Sequence, residues 1–171
     1  TIDQDTGFSI TGNPGEIEVQ GIEWSTLLRI TEQFSLGLNA NITNAEFIAI
    51  DPDTSLVNKG DAVFLIPKFN YSLSADYDFN WSSAISGFAQ LDYNRQGENS
   101  VINRSVSFNQ VNTSTDIGFL NAQIGAQWAD VTVRLFGRNL NNELRTTAGS
   151  LDGTFTQNRP RTVGASINYQ F

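Results

Sequence analysis

Six side chains carry the chemistry open to this sequence: Tyr93, Arg95, Arg104, Arg134, Arg138 and Arg145. Five are guanidiniums, planar and permanently charged, and suited to two-pronged recognition of a carboxylate or phosphate. Such residues can hold an anionic chelate or a sugar acid, but they do not cleave one. The chain has no His and no Cys, so Ser-His-Asp and Cys-His arrangements and the usual zinc sites cannot be built. Asp76 and Asp78 fall on one face of one alternating stretch, and nothing nearby would raise the pKa that carboxylate catalysis needs. The run DPDTSLVNKGDA, Asp51 to Ala62, opens like a calcium loop but lacks the sixth-position Gly and twelfth-position Glu. No enzymatic activity, cofactor or metal site is therefore expected.

The composition limits the partners. Charged residues are 16% of the 171-residue chain, well below the ~25% usual in soluble domains, while Asn alone occurs eighteen times. A net charge of −8 with scattered Lys and Arg offers no footprint for nucleic acid. No apolar run is long enough for a membrane helix, but a membrane strand needs only about 9–11 residues, alternately apolar, and escapes that test.

Alternation is what positions the six candidates. Seven stretches place apolar residues at every second position. The first carries Ile22, Trp24, Thr26, Leu28 and Ile30; the second Phe34, Leu36, Leu38, Ala40 and Ile42; the third Phe69 to Phe79 at odd positions. The fourth carries Ile85, Gly87, Ala89, Leu91 and Tyr93; the fifth Leu120 to Trp128 at even positions; the sixth Val131, Val133, Leu135 and Gly137. The last carries Val163, Ala165, Ile167, Tyr169 and Phe171. Intervening positions are polar apart from Leu27, Phe88 and Phe136, and a change of apolar parity near Gly21 predicts a bulge there.

Connections alternate between tight turns and loops of about twenty residues, so an antiparallel meander would gather the short turns at one rim and the long loops at the other. Phe34, Tyr77, Phe79, Trp81, Trp128, Tyr169 and Phe171 cluster at the short-turn level, as in an aromatic girdle. The expected fold is all-β, an antiparallel transmembrane β-barrel meander of about seven strands. Two alternatives share the alternation: a soluble β-sandwich binding or adhesion module, and a small self-closed outer-membrane barrel.

Four stretches resemble the TonB-dependent outer-membrane receptors in the carboxy-terminal part of their barrel. GEIEVQGIEW (Gly15–Trp24) resembles a strand opening these last hairpins, and IPKF (Ile66–Phe69) a Pro-basic strand start. FGRNLNNEL (Phe136–Leu144) is similar to the Asn-Leu-x-Asp/Asn-Glu segment, and RPRTVGASINYQF (Arg159–Phe171) to the family's ending. Where a Tyr often follows the third segment, this chain has Leu144 and Arg145.

The resemblance implies an energy-coupled receptor of the bacterial outer membrane, taking up a scarce nutrient such as an iron chelate or oligosaccharide. Residues 15–171 would be barrel strands with short periplasmic turns and long extracellular loops, and 1–14 a loop or the end of a preceding strand. The family's barrel has about twenty-two strands, so the expectation is a carboxy-terminal segment of a longer receptor. Implied partners are the lipid bilayer, a plug domain, a periplasmic energy-coupling protein, and the barrel-assembly machinery, which would read Tyr169 and Phe171 as a signal.

Overall fold

Alternating residues point to opposite sides of an extended chain, and the sequence answers with long strands. A computed structural model describes residues 15–51, 57–103, 110–147 and 156–171; Arg104 and the stretch 1–14 lie outside them. Seven antiparallel strands form one sheet in meander order: β1 (Gly15–Arg29), β2 (Phe34–Ile50), β3 (Phe69–Asn80), β4 (Ile85–Gln96), β7 (Ile117–Trp128), β8 (Val131–Arg138) and β11 (Thr162–Tyr169). Two short hairpins sit in the long connections, β5 (Ser100–Asn103) with β6 (Gln110–Thr113), and β9 (Thr146–Thr147) with β10 (Thr156–Gln157). Sequence alternation gave no sign of these, because four or fewer residues are too short to show a period.

Register keeps the two chemistries apart across every ladder. One rung runs Leu36, Ala75, Leu91, Ala122, Gly137 and Val163, all apolar; the next runs Ser35, Asp76, Gln90, Gln123, Phe136 and Gly164. A one-residue slip would exchange the faces. The apolar face is bare: Val163 is 71% and Ile167 75% exposed. No described side chain is fully buried, so the sheet lacks the core that hydrophobic burial would give a soluble domain.

Short turns close one rim. The Ile30 and Trp81 amides donate to the Phe34 and Ile85 carbonyls at 2.9 and 3.0 Å, and Thr31 Oγ1 accepts from the Phe34 amide at 3.0 Å. Ala129 turns β7 into β8 with φ of 47°.

The bulge expected at Gly21 is not there. Gly21 pairs in register with Thr43, and the shift lies between Glu16 and Ile17, where β2 supplies the extra residue Ile48. The parity change is in side-chain polarity alone. Toward the long-loop rim Ile17 and Val19 stand beside Phe47 and Ala45 on the otherwise polar face, and a small apolar cluster forms there. Phe47 (3% exposed), Ala45 and Val57 are buried, and the Phe47 and Phe64 rings meet edge to face. The chain at 60–63 holds this cluster by hydrogen bonding alongside β2, with the Val63 amide on the Ala45 carbonyl and the Phe47 amide on the Asp61 carbonyl, each at 3.0 Å.

Neither alternative architecture matches the described residues. Sheet strands contact only their ladder neighbours, so no second sheet covers the apolar face as a sandwich requires. β1 and β11 stand at opposite edges and do not meet, so these strands alone do not close a barrel.

Candidate functional site

The polar face is a wall of amides and hydroxyls. Ser25 Oγ donates to Asn39 Oδ1 at 2.7 Å, and Asn39 Nδ2 reaches Ser72 Oγ at 3.4 Å. Asn41 Nδ2 donates to Glu23 Oε1 at 3.3 Å and Thr43 Oγ1 to Asn41 Oδ1 at 2.6 Å. Glu23, Ser25, Asn39, Asn41 and Ser72 line an open cavity of 580 Å³ toward the long-loop rim. Its many neutral donors and acceptors suit hydroxylated or amide-bearing molecules.

Apart from Arg29 on β1, charge is segregated along this face. Glu23, Asp76, Asp78 and Asp92 stand on β1, β3 and β4, Arg134 and Arg138 on β8, and the β7 positions between them, Asn121, Gln123 and Gln127, are neutral. Each β8 guanidinium lies over an aromatic ring: Arg134 over Phe88 at 5.7 Å and Arg138 over Phe136 at 5.6 Å. The rings are two of the three apolar exceptions on the polar face, and glycines make room for them. A Cβ at Gly125 would sit 2.3 Å from Phe88, and one at Gly164 2.6 Å from Phe136. Both arginines, with Asp92, Asn121, Gln123 and Ser166, line a recess of 330 Å³.

The other candidates separate. Tyr93 and Arg95 stand at the long-loop rim but on the apolar face, in ladder with Leu73 and Tyr71. Arg95 Nε donates to Asp116 Oδ2 at 3.1 Å, and its Nη2 bonds the same oxygen. Its charge is answered within the chain, and by register it stands on the apolar face, while the residue also borders the 580 Å³ cavity. Their parity on β4 carried this placement in the sequence; the residue type suggested the other face.

Arg145 is buried, at 7% exposure, between two long connections. Its Nη2 donates to Ser114 Oγ, while Nε and Nη1 find no acceptor among the described residues. Ser114 is itself bonded to Asn99, through Oγ to Oδ1 at 2.9 Å and backbone to backbone at 2.8 Å. Arg145 is thus enclosed, apart from both open cavities.

Sequence reasoning missed a clasp of asparagines after β8. Asn139, 5% exposed with φ of 50°, accepts from the Glu143 amide at 2.9 Å and donates to the Glu143 and Arg159 carbonyls at 2.9 and 3.0 Å. Asn141 donates to the Gly118 carbonyl at 2.7 Å and accepts from Leu120 N at 3.0 Å. Asn158 donates to the Glu143 carbonyl at 2.8 Å and accepts from Arg145 N at 2.6 Å. Amide side chains replace ladder bonds where the chain leaves the sheet. The NLNNE run was visible, but only the positions of orphan backbone groups reveal its use.

Aromatic rings line the apolar face at two levels. Near the short turns Phe34, Tyr77, Phe79 and Trp81 form a chain of ring contacts at 6.4, 5.6 and 5.3 Å, and Tyr169 meets Phe171 at 6.2 Å. Near the long loops Phe69, Tyr71 and Tyr93 do the same at 6.4 and 6.0 Å, with Trp24 one strand beyond, across Ala40. The sequence reading had only the first level.

Comparison with known proteins agrees with this architecture. A family model described as TonB dependent receptor-like, beta-barrel matches residues 1–140. Among solved structures, the ferric yersiniabactin uptake receptor FyuA from Yersinia pestis superposes with a TM-score of 0.77 at 21% identity, covering 93% of this chain and 24% of that one. The chain therefore spans about a quarter of that receptor's length. No curated protein matches the sequence.

Proposed function

Since the chain belongs to the TonB-dependent receptor β-barrel family, we propose that it forms part of the wall of an energy-coupled outer-membrane receptor that imports a scarce nutrient. The carrying observation is the two-faced single-layer sheet, apolar and ringed by aromatics on one side and polar on the other. On this reading the apolar face meets lipid and the polar face lines the lumen.

Dimensions support it. Phe69 and Phe79 are ten residues apart on β3, about 33 Å along a strand at ~3.3 Å per residue. A tilt of roughly 40° reduces that to about 25 Å, the height of the apolar band of membrane barrels. β1 and β2, at 15 and 17 residues, exceed the ~11 that a crossing needs and project past the bilayer at the long-loop, extracellular rim. No described strand pairs with the outer edges of β1 and β11, and these edges call for further strands, because open backbone groups are not tolerated in lipid.

In this account the segment supplies wall, lumen surface and loops. A plug domain gates the barrel, a periplasmic coupling protein moves the plug, and the assembly machinery engages β11 through Tyr169 and Phe171. Arg134 and Arg138 contact cargo in the lumen, whereas Arg95 and Tyr93 belong to the lipid-side rim. Arg145 acts through loop structure. The cargo class is an iron chelate or an oligosaccharide; the structural neighbour is a ferric yersiniabactin uptake receptor.

The test is uptake by cells lacking the receptor gene, using radiolabelled ferric chelates and labelled oligosaccharides. Loss of uptake of one member of these classes, restored by the gene on a plasmid, is expected. Unchanged growth and uptake across both classes under limitation would contradict the proposal.

A further inference from the structure

We infer that the recess between β4, β7, β8 and β11 binds a carboxylate flanked by hydroxyl groups, the chemistry shared by a sugar acid and a hydroxycarboxylate chelate. This rests on the lumen reading above and names the part of the cargo that the wall would hold.

The positive charge has no ion-pair partner among the described residues and is oriented. Asp92 lines the same recess, yet neither Arg134 nor Arg138 forms an ion pair among the described residues, and both are held over rings instead. A guanidinium seated on a ring keeps its N–H edge for a ligand. The 330 Å³ volume admits a small acid or the head of a larger chelate, at the lower end of ligand-pocket sizes.

The neighbours define the rest of the ligand. Asn121 uses its oxygen on the Asn139 amide and Gln123 its nitrogen on Gln90, so beside Ser166 the Asn121 amide nitrogen is left to donate and the Gln123 amide oxygen to accept. Asp92 adds acceptors only, and it would repel a bare polycarboxylate. A ligand with hydroxyls near its carboxylate turns that repulsion into hydrogen bonds, so Asp92 selects hydroxycarboxylates over plain ones.

The test uses the full-length receptor in detergent, with phenylglyoxal labelling of each arginine read by mass spectrometry. Citrate, a hydroxytricarboxylate, should slow labelling of Arg134 and Arg138 by about tenfold near saturation, following mass action, and leave exposed Arg29 and Arg161 unchanged at equal ionic strength. Tricarballylate, which lacks only the hydroxyl, should protect less, and Asp92→Asn should erase that difference. The inference is overturned if citrate protects none or all four arginines alike, or if the two acids protect equally in the unmodified receptor. It is equally overturned if Arg134 and Arg138 become reactive only after the plug is removed, which would assign the recess to the receptor's own carboxylates. Labelling needs no transport, so a receptor that imports none of the nutrients tested can still pass or fail here.

Discussion

The Arg134 guanidinium lies 5.7 Å from the centre of the Phe88 ring, reaching across Gly125, the one residue between them in the ladder. Gly125 has no side chain because the ring occupies that space.

Substituting Gly125→Val should displace Phe88, since a Cβ there lies 2.3 Å from the ring and 2.8 Å from the Val133 carbonyl oxygen. The expected cost is about 1–3 kcal/mol, read as a lower unfolding midpoint of the detergent-solubilised receptor. Combining it with Phe88→Ala should recover the ring's share of that loss. Strict additivity of the two substitutions would show that Gly125 and Phe88 are not coupled in this way.

Asn139→Ala removes one acceptor and two donors from a site 5% exposed and forces Ala to φ near 50°. Losing buried hydrogen bonds at ~1–3 kcal/mol each, the loop after β8 should open locally. Hydrogen exchange at the amides of Glu143 and Arg145 is the measurement, and unchanged protection there would contradict the clasp.

Arg145 tests the opposite case. Its buried Nε and Nη1 bond nothing among the described residues, and exchanging a poorly paired buried charge for a packed apolar side chain is often neutral or stabilising. Arg145→Met should therefore cost less than about 1 kcal/mol in thermal unfolding. A loss several times larger would reveal a carboxylate partner elsewhere in the receptor.

Leu91 and Gln90 are adjacent on β4 and face opposite sides. Leu91→Arg near mid-membrane should cost about 2–4 kcal/mol and reduce the amount of folded barrel, whereas Gln90→Arg on the lumen side should cost ~1 kcal/mol or less. Heat-modifiable migration on gels separates folded from unfolded barrel. Equal effects of the two would contradict the assignment of faces.

The strands were legible because alternation is a local property of sequence, and the register that joins Leu36 to Val163 follows once the tight turns are recognised. The bulge expected at Gly21 is absent for a physical reason: Ile17 and Val19 lie on the otherwise polar face beside Phe47 and Ala45, so side-chain polarity changes there while the backbone stays in register. The recess was half legible. Arg134 and Arg138 were placed on the polar face by parity, but Phe88 and Phe136 stood out only as exceptions, since their use depends on which glycine each ring faces across the sheet. The asparagine clasp and the enclosure of Arg145 depend on contacts between distant loops, which no local pattern carries.

Trp24 and Trp128 lie on the apolar face at opposite aromatic levels, 62% and 43% exposed. The central claim, that this face meets lipid, is tested most directly by reconstituting receptors that retain one of these tryptophans in vesicles of brominated phospholipid. Both should be strongly quenched, and more by bromines near the headgroups than by bromines at the acyl-chain ends. Fluorescence insensitive to bilayer bromines but quenched by aqueous iodide would contradict the account.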